Sequence, residues 1–144
     1  MKVLLRPRRG AGFTLIELLV VLFILGLIAG IAGPQVMNYL GDSKSKTAKL
    51  QIEEFGNALD LFKLDAGRYP NTQEGLQALV QAPPSVGDRW RGPYLKKKVV
   101  PKDPWGNDYR YDAPGKHGAF DILALGSDGR EGGEGEAKDV ASWE

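Results

Sequence analysis

The chain has 144 residues, no cysteine and a formal net charge of +1, which sets its size at about one domain and excludes disulfides, thiolate metal sites and thiol nucleophiles. The charge is uneven, because Lys2, Arg6, Arg8 and Arg9 precede residue 13 without an acidic residue, leaving 15 basic and 18 acidic residues in the remainder. No basic stripe interleaved with aromatic residues is present, so nucleic acid is not expected as a partner.

A long apolar segment follows the four basic residues. It covers residues 13–33 with Glu17 as its one charged residue, and its length suits a helix that crosses about 30 Å of hydrocarbon. A secretory signal peptide is disfavoured, because the run is long for such a segment and no clean small-residue cleavage site follows it. Basic residues on one flank hold that flank in the cytoplasm. The pattern predicts a single membrane span with a cytoplasmic N-terminus and an exported C-terminal domain.

Glu17 is the unexpected residue of this segment, because a carboxylate in a membrane helix costs about 2.5 to 3.5 kcal/mol at the helix centre. Two interpretations stay open. The side chain can reach the membrane interface, since it lies near the end of the span. Alternatively, a cut between Gly12 and Phe13 would give Phe13 a free amine that pairs with Glu17 of a staggered neighbouring helix. A buried pair of this kind fixes register more convincingly than it adds stability.

The helical pattern is expected to continue past the membrane segment, to about Leu64. Apolar residues at spacings of three and four predict a stripe that packs on a covering sheet: Ile52, Phe55, Leu59 and Phe62. Two weak points interrupt the pattern, residues 30–34 and residues 41–43, and Pro34 removes one helical hydrogen bond. For residues 30–34, a simple kink and a segment that melts on assembly remain alternatives.

The second half of the chain is rich in turn residues and short apolar runs. Residues 73–80 predict a short helix capped by Asn71 or Thr72 and ended by the prolines at 83 and 84. Turn residues then recur every few positions, and three short strands fit between them, at residues 94–97, 109–112 and 120–124. The predicted fold class is α+β, with one long N-terminal helix packed on a small C-terminal antiparallel sheet.

A family resemblance is carried by the sequence GFTLIE, residues 12–17, after the short basic leader. It resembles the processing site of type IV pilins and type II secretion pseudopilins. The resemblance implies that a membrane peptidase cuts after Gly12 and that the new N-terminal amine of Phe13 is methylated. It also implies that Glu17 serves subunit assembly. The expected domains are a cleaved leader at residues 1–12, a transmembrane and assembly helix at 13–34 and a periplasmic pseudopilin domain at 35–144.

Four further motifs narrow the resemblance: LDAGRYP at 64–70, QEGLQAL at 73–79, DPWGNDY at 103–109 and LGSDG at 125–129. They resemble the major pseudopilin (protein G) family of the type II secretion system. The resemblance implies a homopolymer, the periplasmic pseudopilus, that drives export of folded proteins across the outer membrane. A type IV pilin for adhesion, motility or DNA uptake is the alternative, and the absence of a cysteine pair weighs against it.

The same resemblance implies partners and a location. The partners are minor pseudopilins, a prepilin peptidase, and the inner-membrane assembly platform with its ATPase. Membrane lipid surrounds the apolar helix before assembly. The subunit is expected to cross the bacterial inner membrane once, with its C-terminal domain in the periplasm, and then to enter the pseudopilus.

The C-terminal stretch at residues 125–140, LGSDGREGGEGEAKDV, alternates carboxylates with glycines. Its spacing does not fit an EF-hand, and composition alone favours a solvated acidic loop. The resemblance implies a calcium ion held by Asp128, by Asp139 and by the backbone carbonyl of Leu125. The chain departs from the family at residues 137 and 138, where Ala-Lys replaces aspartates, so Glu134, Glu136 or a backbone oxygen would have to substitute.

An enzyme is not expected. His117 is the one histidine and lies in a predicted turn, and nothing in the sequence fixes the distance between Asp121 and Asp128. The chain has no nucleophile elbow, phosphate loop or zinc-protease motif. A membrane-tethered periplasmic enzyme or binding protein is a third alternative, which predicts an uncleaved leader.

Overall fold

The computed structural model describes residues 12–144. The basic leader predicted at residues 1–12 lies outside the described residues except for Gly12. The chain divides into two compact units, the first ending at Met37 and the second running from Asn38 to Glu144.

The main element is helix α1, Leu15–Ala66. The helix ends where Gly67 adopts a left-handed φ of 80° and its N–H donates to the Lys63 carbonyl at 2.8 Å, a common helix C-terminus that favours glycine. Pro34 lies inside α1, and the helix also continues through residues 41–43. Neither predicted weak point therefore ends the helix.

In the second unit, α1 buries the predicted stripe. Ile52, Phe55, Leu59 and Phe62 are at most 4 % exposed, which confirms the interpretation of the three- and four-residue spacing. Phe55 meets Tyr109 edge to face at 5.0 Å between ring centroids, and the Tyr109 hydroxyl donates to Gln51 of the helix. The core therefore joins the helix to the loops and strands that cover it.

The covering sheet has three antiparallel strands in the order β1-β2-β3: β1 Arg110–Asp112, β2 Asp121–Ala124 and β3 Val140–Ala141. Tyr111 lies opposite Ile122, and Leu123 lies opposite Ala141. The first two strands match the predicted segments at 109–112 and 120–124. The α+β fold class, a long helix with a small C-terminal antiparallel sheet, is confirmed.

Two local predictions were wrong. Within residues 73–80 the structure has a four-residue 3₁₀ helix, Leu76–Leu79, in place of the predicted longer helix. It begins after Asn71 and Glu74, each of which accepts the other's backbone N–H at 2.8 Å. Residues 94–97 do not form a strand; residues 95–97 form a bend, and the Tyr94 N–H donates to the Leu79 carbonyl at 2.8 Å.

Candidate functional site

The start of α1 carries the residues predicted for processing and assembly. Phe13 is 78 % exposed, and a Cβ built on Gly12 would meet no atom within 4 Å in the described part of the chain. Both residues that flank the predicted cleavage point are therefore exposed within the described part of the chain. The N–H of Glu17 donates to the Thr14 hydroxyl at 3.3 Å. Thr14 and Glu17 thus occupy the first and fourth positions of a capping-box sequence, a signal that the sequence contains and that our prediction missed.

The first unit leaves its apolar residues uncovered. Every large apolar side chain from Phe13 to Met37 in the described chain is exposed, from 45 % at Val21 to 85 % at Leu15. The segment is long and apolar enough to cross a membrane. Apolar area on this scale is stable only when lipid or other apolar helices cover it.

The C-terminal acidic loop is built around a close backbone approach. The Ser127 N–H donates to the Glu136 carbonyl at 2.8 Å. A Cβ on Gly126 would fall 2.5 Å from the backbone of Ala137, and a Cβ on Gly133 would fall 2.6 Å from the Ala137 carbonyl oxygen. Because these contacts are with backbone, residues other than glycine do not fit without displacing it. The glycines therefore fold the loop back on itself.

The carboxylates predicted as calcium ligands turn toward this loop's own backbone. Asp128 Oδ1 accepts the Arg130 N–H at 3.1 Å, and Asp139 Oδ2 accepts the Gly132 N–H at 2.8 Å. Asp139 Oδ1 is buried, and no group of the described residues donates to it. A buried carboxylate oxygen without a donor is costly. This oxygen is therefore suited to a cation.

The side chains do not form a ready-made metal cluster. Within residues 12–144, no three histidine or acidic side chains come close enough to hold an ion. Glu131 pairs with Arg110, and the side chain of Glu136 lies beside Gly41 of α1. A calcium site here fits the residues present if Asp128 and Asp139 are completed by backbone carbonyls, which calcium accepts readily.

One residue outside the loop contacts the segment that bears two of the predicted ligands. The side-chain amide of Asn107 donates to the Leu125 carbonyl at 3.3 Å and to the Gly126 carbonyl at 3.2 Å. Asn107 was not among the predicted site residues. The resemblance pointed to its motif, DPWGNDY, but the contact spans 18 residues of sequence and depends on the fold.

A second polar cluster lies where β2 meets the C-terminal residues. Asp121 is 7 % exposed and accepts the Lys116 N–H at 2.8 Å and a ring N–H of His117 at 3.0 Å. Burial raises the pKa of Asp121, but these hydrogen bonds outweigh it and leave the pKa below its ordinary value. The hydrogen bonds that Asp121 accepts come from Lys116 and His117, and none joins it to Asp128 as an acid–base pair. The cluster instead joins a turn to the end of the chain.

Comparison with known proteins decides the family. The family model described as type II secretion system (T2SS), protein G, matches residues 35–143. The chain belongs to this family. A second model, the prokaryotic N-terminal methylation motif, matches residues 7–33. The family match favours the secretion system over the type IV pilin alternative.

Sequence similarity to members of this family extends over almost the whole chain. The type II secretion system core protein G of Pseudomonas aeruginosa is 46 % identical, over 97 % of this chain and 99 % of that protein. The core protein G of Vibrio cholerae is 44 % identical, over 96 % and 94 %. The crystal structure of the major pseudopilin from the type 2 secretion system of enterohaemorrhagic Escherichia coli superposes with a TM-score of 0.63 at 30 % identity, covering 74 % of this chain and 88 % of that one.

Proposed function

We propose that this chain is a major pseudopilin, a structural subunit that polymerises into the periplasmic pseudopilus of the type II secretion system and drives export of folded proteins. Family membership and the pseudopilin-like fold support this role. The role is structural rather than catalytic. Membership of a family of structural subunits is what favours it over an enzyme.

The observation that carries the proposal is the uncovered first half of α1. Its exposed apolar surface contains a single carboxylate, Glu17, close to its start. Before assembly, membrane lipid covers this surface of the subunit in the inner membrane. In a fibre, the helices of other copies cover it instead. A contact of this kind that repeats without closing gives a helical filament.

Processing supplies the charged partner of Glu17. A prepilin peptidase cuts between Gly12 and Phe13, and the new amine of Phe13 is methylated but keeps its positive charge. This amine pairs with Glu17 of a neighbouring helix and sets the register between copies. A charged pair in an apolar environment is a good register device, because a misplaced helix leaves both charges unpaired.

The remaining partners follow from the site of assembly. The chain crosses the inner membrane once, with residues 35–144 in the periplasm. Subunits are added at the inner-membrane assembly platform, whose ATPase supplies the work, and minor pseudopilins join the same fibre. This topology is supported by the basic residues before the apolar segment.

We also propose that the acidic loop binds calcium. Asp128, the Leu125 carbonyl and Asp139 would hold the ion, the last through Oδ1, which has no donor among residues 12–144. Bound calcium supplies positive charge that neutralises the loop and ties its two ends together. Ligand binding to the folded state alone raises stability by mass action. Calcium would therefore order a glycine-rich loop in a chain without disulfides.

The decisive experiment compares Glu17→Gln with Thr14→Ala in the full chain, produced with its prepilin peptidase and secretion system. Mass spectrometry reports whether the chain begins at Phe13 with one added methyl, and sheared fibres report assembly. Gln at position 17 keeps the side chain that a capping box needs and loses the charge. Thr14→Ala removes the hydroxyl that caps the helix start and keeps the charge of Glu17.

We expect wild type and Thr14→Ala to be processed and to assemble. Glu17→Gln is expected to be processed and to form no fibres. Equal loss of fibres in both variants would mean that Glu17 acts through the helix start rather than through its charge. A wild-type chain that still begins at Met1, or that never assembles, would overturn the proposed function itself.

A further inference from the structure

The turn formed by residues 103–107 holds Asn107 in a fixed position. The Asp103 N–H donates to the Asn107 carbonyl at 2.9 Å, and the Asn107 N–H donates back to Asp103 Oδ1 at 2.8 Å. Asp103 is buried, at 5 % exposed, and Gly106 takes a φ of 95° that favours glycine. Both backbone hydrogen-bonding groups of Asn107 are thus tied to one buried residue.

From this position the Asn107 side chain contacts the residues before Asp128 and lies near the residue after it. Its amide nitrogen donates to the carbonyls of Leu125 and Gly126, before Asp128. A Cβ built on Gly129, directly after Asp128, would lie 3.7 Å from Asn107 Oδ1. Gly129 has a φ of 65°, so the chain turns here where a side chain is disfavoured. The amide therefore packs across the short turn that carries two of the proposed calcium ligands.

We infer that Asn107 is the positioning residue of the calcium site, an inference that rests on the proposed function. A carbonyl oxygen has two lone pairs. On the Leu125 carbonyl, the hydrogen bond from the Asn107 amide uses one lone pair and fixes the direction of the other. The carbonyls of Leu125 and Gly126 point at the same amide group, so its loss would leave them free to reorient. Partners that orient metal ligands typically contribute about 10- to 100-fold to metal affinity.

Asn107 does not ligate the ion in this scheme. It acts through the carbonyls it holds, while Asp103 anchors its backbone. Asp108, the next residue, offers a matched control. Its side chain is 86 % exposed and makes one loose ion pair with Lys102, at 3.7 Å.

The test is a calcium titration of the full chain in detergent, followed by thermal unfolding, for wild type, Asn107→Ala, Asn107→Ser and Asp108→Ala. The quantity compared is the calcium concentration that gives half of the maximal increase in Tm. For Asn107→Ala we expect this midpoint to rise at least tenfold. For Asp108→Ala we expect it to stay within twofold. Serine keeps one shorter donor, so Asn107→Ser should lie between wild type and alanine, and it is the variant that counts if alanine does not fold.

Two outcomes would overturn the inference, and they differ. If the Asn107 variants lower Tm equally with calcium and with chelator, and the midpoint does not move, Asn107 supports the fold and not the ion site. If wild type itself shows no calcium midpoint, the calcium site fails, and the positioning role fails with it. The pseudopilin role is untouched by the second result, because processing and assembly test it separately.

Discussion

The imidazole of His117 lies flat against the indole of Trp143, with ring centroids 4.0 Å apart and planes inclined by 13°. The same ring contacts Asp121 through Nδ1 at 3.0 Å. Trp143 directly follows Ser142, whose hydroxyl accepts the Ile122 N–H at 3.0 Å and whose own N–H donates to the Ile122 carbonyl at 2.9 Å. His117 thus joins a turn between strands β1 and β2 to the C-terminal end of the chain.

Replacing His117 by Ala is expected to loosen the C-terminal residues selectively. The stack and the hydrogen bond to Asp121 are lost together, at a cost of about 1 kcal/mol for a half-exposed ring. Amide hydrogen exchange at Ser142 and Trp143 should speed up severalfold, while exchange in α1 stays unchanged. Lys116→Ala is the matched control, since the backbone N–H of Lys116, not its side chain, donates to Asp121. Unchanged exchange at Trp143 would show that β3 alone holds the end of the chain.

Replacing two glycines of α1 by alanine should have different effects on the stability of the fold. A Cβ on Gly41 would fall 2.6 Å from Cγ of Glu136, whereas a Cβ on Gly56 would lie 4.0 Å from the ring of Phe120. Alanine inside a helix is favoured over glycine by about 0.5 to 1 kcal/mol. Gly56→Ala should therefore raise the midpoint of chemical unfolding, and Gly41→Ala should not.

The double variant Gly41→Ala/Glu136→Ala identifies the cause. If the clash with the Glu136 side chain is what offsets the gain at Gly41, removing that side chain should restore the increase seen for Gly56→Ala. Non-additivity of this kind is expected for residues in contact. Additive effects of the two single changes would mean that the side chain at 136 moves away without cost.

The elements that the sequence predicted are those in which local pattern and packing agree. The stripe at Ile52, Phe55, Leu59 and Phe62 was predictable because burial on one face of a helix imposes its own spacing. Strands β1 and β2 were predictable because turn residues bound two short segments, one of which, β1, alternates buried Tyr111 with exposed Arg110 and Asp112. Strand β3, Val140–Ala141, is two residues long and leaves no periodic signal, since it exists through its pairing with β2.

The predictions that failed depend on neighbours distant in sequence. Residues 73–80 carry helical spacing, yet Gly75 with a φ of 60° and the Leu79 carbonyl, taken by the Tyr94 N–H, confine the turn to Leu76–Leu79. The role of Gly41 under Glu136 is invisible in sequence for the same reason. At the site, the acidic ligands were predicted from a family resemblance. The contact of Asn107 with Leu125 joins residues 18 positions apart and became visible only in the folded structure.

Acid should weaken the fold through Glu74. The hydrogen bond from Arg68 lowers the pKa of Glu74 to about 2, against burial, and the Ser85 hydroxyl and Asn71 N–H add to it. Because the pKa is below its ordinary value of 4.5, the charged form stabilises the folded state. That contribution is complete above about pH 4.5 and is lost as the pH falls toward 2.

Glu74→Gln isolates this contribution. Arg68 is 39 % exposed on its side chain, so solvent screening limits the effect to about 1 kcal/mol. Wild type should be more stable than Glu74→Gln at pH 6, and the two should converge near pH 2, as measured by chemical unfolding at each pH. Asp108→Asn, at an exposed pair, should show no such convergence. A difference between wild type and Glu74→Gln that persists at pH 2 would assign the effect to packing.

Asp139→Asn should change stability in opposite directions with and without calcium. In the presence of a chelator, the change removes the negative charge of a carboxylate whose Oδ1 is buried without a donor among the described residues. Its other oxygen accepts the Gly132 N–H at 2.8 Å, and an asparagine oxygen can still accept that bond. The variant should therefore be no less stable than wild type in chelator, because burying an unpaired charge is costly.

With calcium the order should reverse. Wild type gains stability as the ion occupies the loop, while Asp139→Asn has lost a charged ligand, and its midpoint in a calcium titration of Tm should rise by tenfold or more. Asp108→Asn is the control, since the Asp108 side chain is 86 % exposed and lies outside the loop, and this change should shift the midpoint little. If Asp139→Asn lowered Tm equally in calcium and in chelator, the Asp139 carboxylate would serve only its bond to Gly132, and the loop would need no ion to hold its ends together.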